Sequence, residues 1–392
     1  MLVSVARCLL FSWLATLGSL ALAEADPETP WEDVRKTPEL PNALLPIQIK
    51  SYAAVGDSYA AGVGAGPQID AGCWLYADSY PGQLNRSNLL PGDHRFQFLA
   101  CSGVRMQAVD TYLNRAERKE RKTVDQYIDK VEDATFATLS IGGNDVGFFK
   151  ILNACVYNFY GPFSGSCNET LDLADAIVAS DEFTTGYNAA LDLLLQKGDS
   201  PSFRILATGY SAFFDDALTD DCNEHTLSYW PGWWQNKLTV DVRRRINNVS
   251  KSLNAKIGQI INARPDNRVI WVDWAWRFDK HRFCQPGKPP IDSESAWFFD
   301  VEFREFIPNE DIDIETCELE SQLSGDWEER AACGIAIVRA AFPNATLRGV
   351  GDNVDTKGGR DPFAPSTARL FHPTPQGYAA IVEEIRRVWP YY

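Results

Sequence analysis

Histidine is scarce in this chain: 392 residues contain four, His94, His225, His281 and His372. None stands in a His-Glu-x-x-His arrangement, so the clustered ligands of a zinc hydrolase are missing. Gly-x-Ser-x-Gly is missing too, because Gly56-Asp57-Ser58-Tyr59-Ala60 lacks the second glycine. Gly62, Gly64 and Gly66 do not complete a dinucleotide fingerprint, since position 67 is Pro67. No metal and no cofactor is expected. Positive charge is also short. Thirty-seven Lys and Arg face 53 Asp and Glu, a net charge of −16, which repels nucleic acid and anionic membranes. Neutral lipids and sugars remain open as partners. Beyond the first 23 residues no apolar run is long enough to span a bilayer, and no apolar C-terminal tail signals a lipid anchor.

The N-terminus carries the one long apolar run. Arg7 precedes Cys8–Leu22, and Ala21-Leu22-Ala23 fits a small-residue cleavage site. Residues 1–23 therefore read as a signal peptide, with a secreted, extracellular chain starting near Glu24. Nine cysteines become eight once Cys8 is removed, an even number that implies disulfides in an oxidising compartment. Connectivity is not readable from sequence. The sequential pattern, Cys73–Cys101, Cys155–Cys167, Cys222–Cys284 and Cys317–Cys333, is the expectation. Sequons at Asn85, Asn168, Asn248 and Asn344 suit a secreted glycoprotein.

Length alone would allow two domains, but no repeat or Gly/Ser-rich linker divides the chain. Residues 24–47, rich in Pro and charge, read as an N-terminal arm. Residues 48–392 read as a single domain, monomeric, with insertions at about 210–240 and 280–365. Five apolar runs, Tyr52–Val55, Phe96–Cys101, Ala134–Ile141, Arg204–Thr208 and Val269–Val272, read as buried strands. Helical periods separate them. Val242, Ile246, Val249, Leu253, Ile257 and Ile260 share one face, and Pro265 closes that segment. A final helix puts Tyr378, Ile381, Val382, Ile385 and Trp389 on one face, with Glu383, Glu384, Arg386 and Arg387 toward water. Thr374 is its expected N-cap and Pro375 its first residue. This alternation predicts an α/β fold, a three-layer flavodoxin-like arrangement with a parallel sheet in the order 2-1-3-4-5, whose chemistry lies beyond the carboxyl ends of the strands.

The loops after the first three strands carry that chemistry. Ser58 follows strand 1, where a helix N-cap is the competing role for a serine. "ACSGVR" follows strand 2 and offers the Gly103 N–H; glycine there leaves no side chain in the way of an approaching oxygen. "SIGGNDVGF" follows strand 3 and offers the Asn144 amide. With strand 1 between the other two, the Ser58 N–H, Gly103 N–H and Asn144 amide would meet as an oxyanion hole. Of the four histidines, His94 enters strand 2, His225 sits in a Trp-rich insertion and His281 follows strand 5. His372, just before the last helix, is the best general base for Ser58.

"GDSY", "GGND" and "HPT..GY" together resemble an SGNH (GDSL-type) hydrolase, most closely the secreted lipase/esterase branch, from about Ser51 to Val388. The resemblance implies Ser58 as nucleophile, His372 as base, Gly103 and Asn144 in the oxyanion hole, and Asp57 as a brace of the loop. It also implies an acid three residues before the histidine in many members. Here that position is Arg369, so a Ser-His dyad is expected, with the Arg369 carbonyl orienting the ring. The substrate stays open between a lipid-like acyl ester and acetyl groups on polysaccharide. A carbohydrate-binding role for Trp230, Trp233, Trp234 and Trp297-Phe298-Phe299 competes with plain packing, and the acidic segment Asp300–Glu329 reads as a solvated loop.

Overall fold

The computed structural model describes residues 49–106, 122–158, 164–198, 201–228, 236–292, 294–299 and 369–390. Residues 1–48 lie outside them, as do the Trp-rich stretch 229–235 and residues 300–368. With them fall the signal peptide, the N-terminal arm, Trp230, Trp233, Trp234, the acidic segment, the sequon at Asn344 and the pair Cys317–Cys333.

Five strands form one parallel sheet: β1 (Ser51–Gly56), β4 (Arg95–Phe98), β5 (Phe136–Ser140), β6 (Arg204–Thr208) and β7 (Val269–Val272). A small antiparallel pair, β2 (Gln68–Asp70) and β3 (Leu75–Tyr76), lies outside the sheet. The sheet order is β4-β1-β5-β6-β7, the expected 2-1-3-4-5. Every residue of β1 and β5 is buried, as central strands covered on both faces must be. The second and third strands are shorter than their apolar runs, but the chain after β4 keeps pairing with β1 through Leu99 N–H to Ala54 O and Cys101 N–H to Gly56 O. That pairing delivers the Cys101–Gly103 loop to the end of β1.

Eight α-helices stand among the described residues: α1 (Ser58–Ala61), α2 (Tyr80–Asn85), α3 (Asp125–Ile128), α4 (Phe148–Leu152), α5 (Cys167–Ala179), α6 (Asp181–Leu195), α7 (Val240–Asn262) and α8 (Pro375–Arg387). Helices α5, α6 and α7 pack on one another, and α6 and α7 reach β6 and β7. Helix α8 packs on α2. The periodicity of α7 holds, with Ile246, Val249, Leu253, Ile257 and Ile260 buried. So does the start of α8: Thr374 Oγ1 accepts the Gly377 N–H, and Pro375 opens the helix.

Glu384 is a correction. Its place between Glu383 and Arg386 predicted a solvent-facing side chain, yet it is fully buried. Arg277 and Arg387 each donate to its carboxylate, at 2.8 and 2.7 Å, so two guanidiniums compensate its desolvation. Trp389 lies past the end of α8, edge-on to Phe136 with 5.2 Å between ring centroids. Three bridges, Cys73–Cys101, Cys155–Cys167 and Cys222–Cys284, form as expected. Of the described sequons, Asn168 and Asn248 are exposed and Asn85 half-buried.

Candidate active site

Strand β1 ends in a sharp turn that only glycine permits. A Cβ on Gly56, at φ +147°, would lie 2.3 Å from the Ser140 carbonyl oxygen. The close approach lets the Asp57 N–H bond the Ser140 carbonyl at 2.8 Å, tying the serine loop to β5. The cap of α1 is Asp57, whose carboxylate accepts the Tyr59 N–H at 3.0 Å. Ser58 is thereby released from capping and stands in the first turn, where main-chain N–H groups have no intrahelical acceptor.

His372 reaches Ser58 from the loop before α8. Its Nε2 and Ser58 Oγ are 2.7 Å apart. Its Nδ1 faces the Leu370 carbonyl at 3.2 Å. The expectation for this carbonyl was Arg369, and the register is off by one: the Arg369 carbonyl accepts the main-chain N–H of His372 at 2.9 Å. A tight turn consumes the i−3 carbonyl and leaves the i−2 carbonyl beside the ring. With its proton on Nδ1, shared with Leu370, the imidazole presents Nε2 as the acceptor for the serine hydroxyl.

Phe371, between the two, has φ +58°. A left-handed phenylalanine is strained, by a cost on the order of 1–3 kcal/mol that its surroundings must offset. Tyr59 supplies part of the offset by donating its hydroxyl to the Phe371 carbonyl at 2.8 Å. Edge contacts with Phe213 and Phe283, at 4.9 and 5.0 Å, hold the buried ring. The segment Ala296–Phe299 docks the same loop: Phe299 N–H bonds the His372 carbonyl and Thr374 N–H bonds the Trp297 carbonyl, at 2.9 and 2.8 Å. Trp297 stacks on His281, 3.6 Å between centroids, and Phe298 is 2 % exposed. These aromatics are packing residues, as is His281. Arg369 lies over Phe299 at 5.1 Å.

Asn144 and Gly103 stand on adjoining loops. The Asn144 amide donates to the Val104 carbonyl at 2.9 Å, clamping the loop after β5 to the loop after β4. Asp145 adds a second clamp by accepting the Met106 N–H at 2.9 Å. Gly103 has φ +83°, and a Cβ there would meet nothing within 4 Å. Backbone conformation, more than space, calls for glycine at 103. Cys73–Cys101 anchors this loop two residues away.

Two buried carboxyls lie beneath these loops. Burial raises Asp57 to about 6, against the lowering pull of its bonds to Tyr210, Tyr59 and Ser140. Burial raises Asp145 to about 7, with the Arg105 charge opposing. Ser58, Asn144 and His372 open on one cleft of about 540 Å³, its mouth included. Phe148, Phe149, Leu152, Tyr157, Phe213 and Leu370 make its apolar wall. A hydroxyl against an imidazole, beside amide donors and a hydrocarbon wall, is an arrangement able to attack an ester carbonyl. Sequence reading missed Tyr59 and Tyr210. Tyr59 follows the serine directly, which was the available signal. Tyr210 had none, being 152 residues from Ser58 in the chain.

The profile of the GDSL-like lipase/acylhydrolase family matches residues 54–296, and the chain belongs to that family. Among curated relatives, a lipase of Streptomyces rimosus is 31 % identical over 172 residues, 43 % of this chain and 55 % of that protein. Lipase 1 of Streptomyces coelicolor is 27 % identical over 257 residues, 64 % of this chain and 79 % of that one. The chain thus spans about half the length of the first relative. Two crystal structures share the fold at TM-score 0.50: an extracellular lipase of S. rimosus, 19 % identical, and a phospholipase A1 of S. albidoflavus, 20 % identical. Each alignment covers 86 % of this chain and 99 % of the other.

Proposed function

We propose that the protein is a secreted carboxylester hydrolase acting on medium- or long-chain acyl esters through Ser58 and His372. The observation that carries this reading is the 2.7 Å approach of His372 Nε2 to Ser58 Oγ at the mouth of an apolar cleft. His372 takes the hydroxyl proton as Ser58 Oγ attacks the ester carbonyl carbon. The carbonyl π electrons move to oxygen, and the oxyanion is held by the N–H groups of Ser58 and Gly103 and the Asn144 amide. Collapse breaks the bond to the alcohol oxygen, which leaves with the proton from His372. Water, deprotonated in turn by His372, attacks the acyl carbon; the bond to Ser58 Oγ breaks, that oxygen takes back the proton from His372, and the acid is freed. The Leu370 carbonyl holds Nδ1–H and steadies the imidazolium.

The cleft supports the acyl ester over an acetyl group. Six apolar side chains would go uncovered by acetyl, whereas each buried methylene contributes about 0.8 kcal/mol. Secretion is supported by the apolar leader and by three formed disulfides. Among the described residues no helix is long and apolar enough to cross a membrane.

The test is a screen of p-nitrophenyl esters from acetyl upward, with acetylated glycans and phospholipids alongside. Rates should rise with acyl length, and a fluorophosphonate should label Ser58 alone. Ser58→Ala should retain the fold and lose both activity and labelling. An active Ser58→Ala protein ends the nucleophile assignment. A preference for acetylated glycan would favour the O-acetylesterase reading instead, and a correctly folded protein inert to every ester and to the probe would leave an SGNH-like binding protein.

A further inference from the structure

We propose that Tyr210 is a positioning residue for ester hydrolysis, coupling the Asp57 carboxylate to the Gly143 N–H and thereby setting the loop that presents Asn144. This rests on the serine-hydrolase reading above. Tyr210 follows β6, a strand that contributes neither the serine nor the base. Its hydroxyl donates to Asp57 Oδ2 at 2.5 Å and accepts the Gly143 N–H at 2.9 Å. A phenol has one hydrogen to give. With that hydrogen committed to the carboxylate, its lone pairs face the Gly143 amide. The residue before Ser58 and the residue before Asn144 are thus bonded to one oxygen.

The tyrosine is itself rigid. Asn254, on α7, accepts the Tyr210 N–H at 2.9 Å and donates to the Tyr210 carbonyl at 2.7 Å. The ring is 1 % exposed and sits edge-on to Tyr59 and Phe148, at 5.0 and 5.3 Å. A Cβ on Gly143 would come within 2.9 Å of that ring, so the loop can seat on Tyr210 only through a glycine. The first glycine of "GGND" occupies 142, and it is the second that fits this seat. Donors preorganised toward a developing charge are what an oxyanion hole requires, and displacements near 1 Å cost on the order of 100-fold in rate.

The groups facing Asp57 fix the direction of its pH response. Tyr59, Tyr80, Tyr187, Tyr378 and Asp145 surround it, and each is held protonated more strongly by burial and by the Asp57 charge. The Tyr210 bond opposes the burial that lifts Asp57 to about 6. Removing the hydroxyl lifts it further. Activity requiring ionised Asp57 then falls away at a higher pH on the acid side.

Tyr210→Phe keeps the ring and deletes the hydroxyl. Its kcat should drop about tenfold to 100-fold with KM changed by no more than about twofold, and the acid limb, set by ionisation of Asp57 together with the neutral imidazole that His372 needs as base, should move upward. A merely structural tyrosine would lower Tm and leave that limb in place. Hydrogen exchange supplies an arm independent of activity: the Gly143 amide should be protected in the wild type and lose protection in Tyr210→Phe. Wild-type kcat with an unmoved acid limb in Tyr210→Phe, while Ser58→Ala is inactive, overturns the positioning role and spares the hydrolase reading. Full activity in Ser58→Ala overturns the hydrolase reading, and the exchange arm still decides the clamp. A Gly143 amide that exchanges freely in the wild type overturns the clamp even if the variant does not fold.

Discussion

At the scale of single residues, the candidate site depends on a few side chains that hold main-chain atoms in unfavourable conformations. Phe371 keeps a left-handed φ of +58° because Tyr59 holds its carbonyl and aromatic rings pack its side chain. His372 follows directly, so any relaxation of Phe371 swings the imidazole away from Ser58. Tyr59→Phe should therefore lower kcat about tenfold or more with little change in KM. The lost hydrogen bond should cost about 1 kcal/mol of stability. Steady-state kinetics and thermal unfolding of the variant check this; unchanged kcat with lowered stability would limit Tyr59 to packing. Gly103→Ala tests the conformational reading of that glycine. A Cβ there meets open space but a φ of +83°, so about 1 kcal/mol of destabilisation is expected, with a larger loss in kcat. Denaturant unfolding measures the first and turnover the second.

At the scale of elements, the wall of the cleft is built from a helix that changes its pitch. Helix α4 runs into a π-helical turn, Asn153–Tyr157, which ends at left-handed Asn158. Tyr157 from this turn lines the cleft and packs edge-on to Phe371 at 5.6 Å. Asn236 donates to the Ala154 carbonyl at 2.6 Å, taking up a carbonyl of the wide turn. Cys155–Cys167 staples the turn to the start of α5 across 12 residues. Replacing both cysteines by alanine should cost about 3 kcal/mol. The loosened wall should also flatten the dependence of rate on acyl length while Ser58 labelling persists. Chemical denaturation and the p-nitrophenyl ester series read these two effects separately.

At the scale of the whole molecule, two buried carboxyls make stability depend on pH in an unusual sense. Asp57 and Asp145 are raised from 3.8 to about 6 and about 7. A carboxyl that binds its proton more tightly when folded stabilises the fold at acid pH. That contribution is lost as pH rises from the unfolded value, 3.8, through the folded one. Asp145→Asn removes one such group and can keep the bond from the Met106 N–H. The stability of Asp145→Asn relative to wild type should therefore rise between pH 3.8 and about 7 and stay level above. The full span is at most on the order of 4 kcal/mol, at 1.36 kcal/mol per pH unit. Unfolding free energies of both proteins across that range check it; a difference independent of pH would place the Asp145 pKa near its ordinary value.

The strands, their order and the loops that carry Ser58, Gly103, Asn144 and His372 were legible in the chain. These are local or topological matters. Apolar runs bounded by turns read as buried strands, helical periods between them require parallel crossovers, and the parallel order sends the loops after β1, β4 and β5 to one edge. The cap of α8 was legible for the same reason, since Thr374 acts within three residues, whereas the Thr239 cap of α7 emerged only in the structure. Tertiary structure alone decided what sits between distant segments. Periodicity placed Glu384 in water, but Arg277, 107 residues away, buries it as an ion pair. The family resemblance pointed to the Arg369 carbonyl at the histidine ring, but the turn that Tyr59 and Phe299 impose puts Leu370 there. Tyr210 had no motif at all. Its hydroxyl gains its meaning from an acceptor on one loop and a donor on another, and hydrogen bonds across such separations leave no period or spacing in the chain.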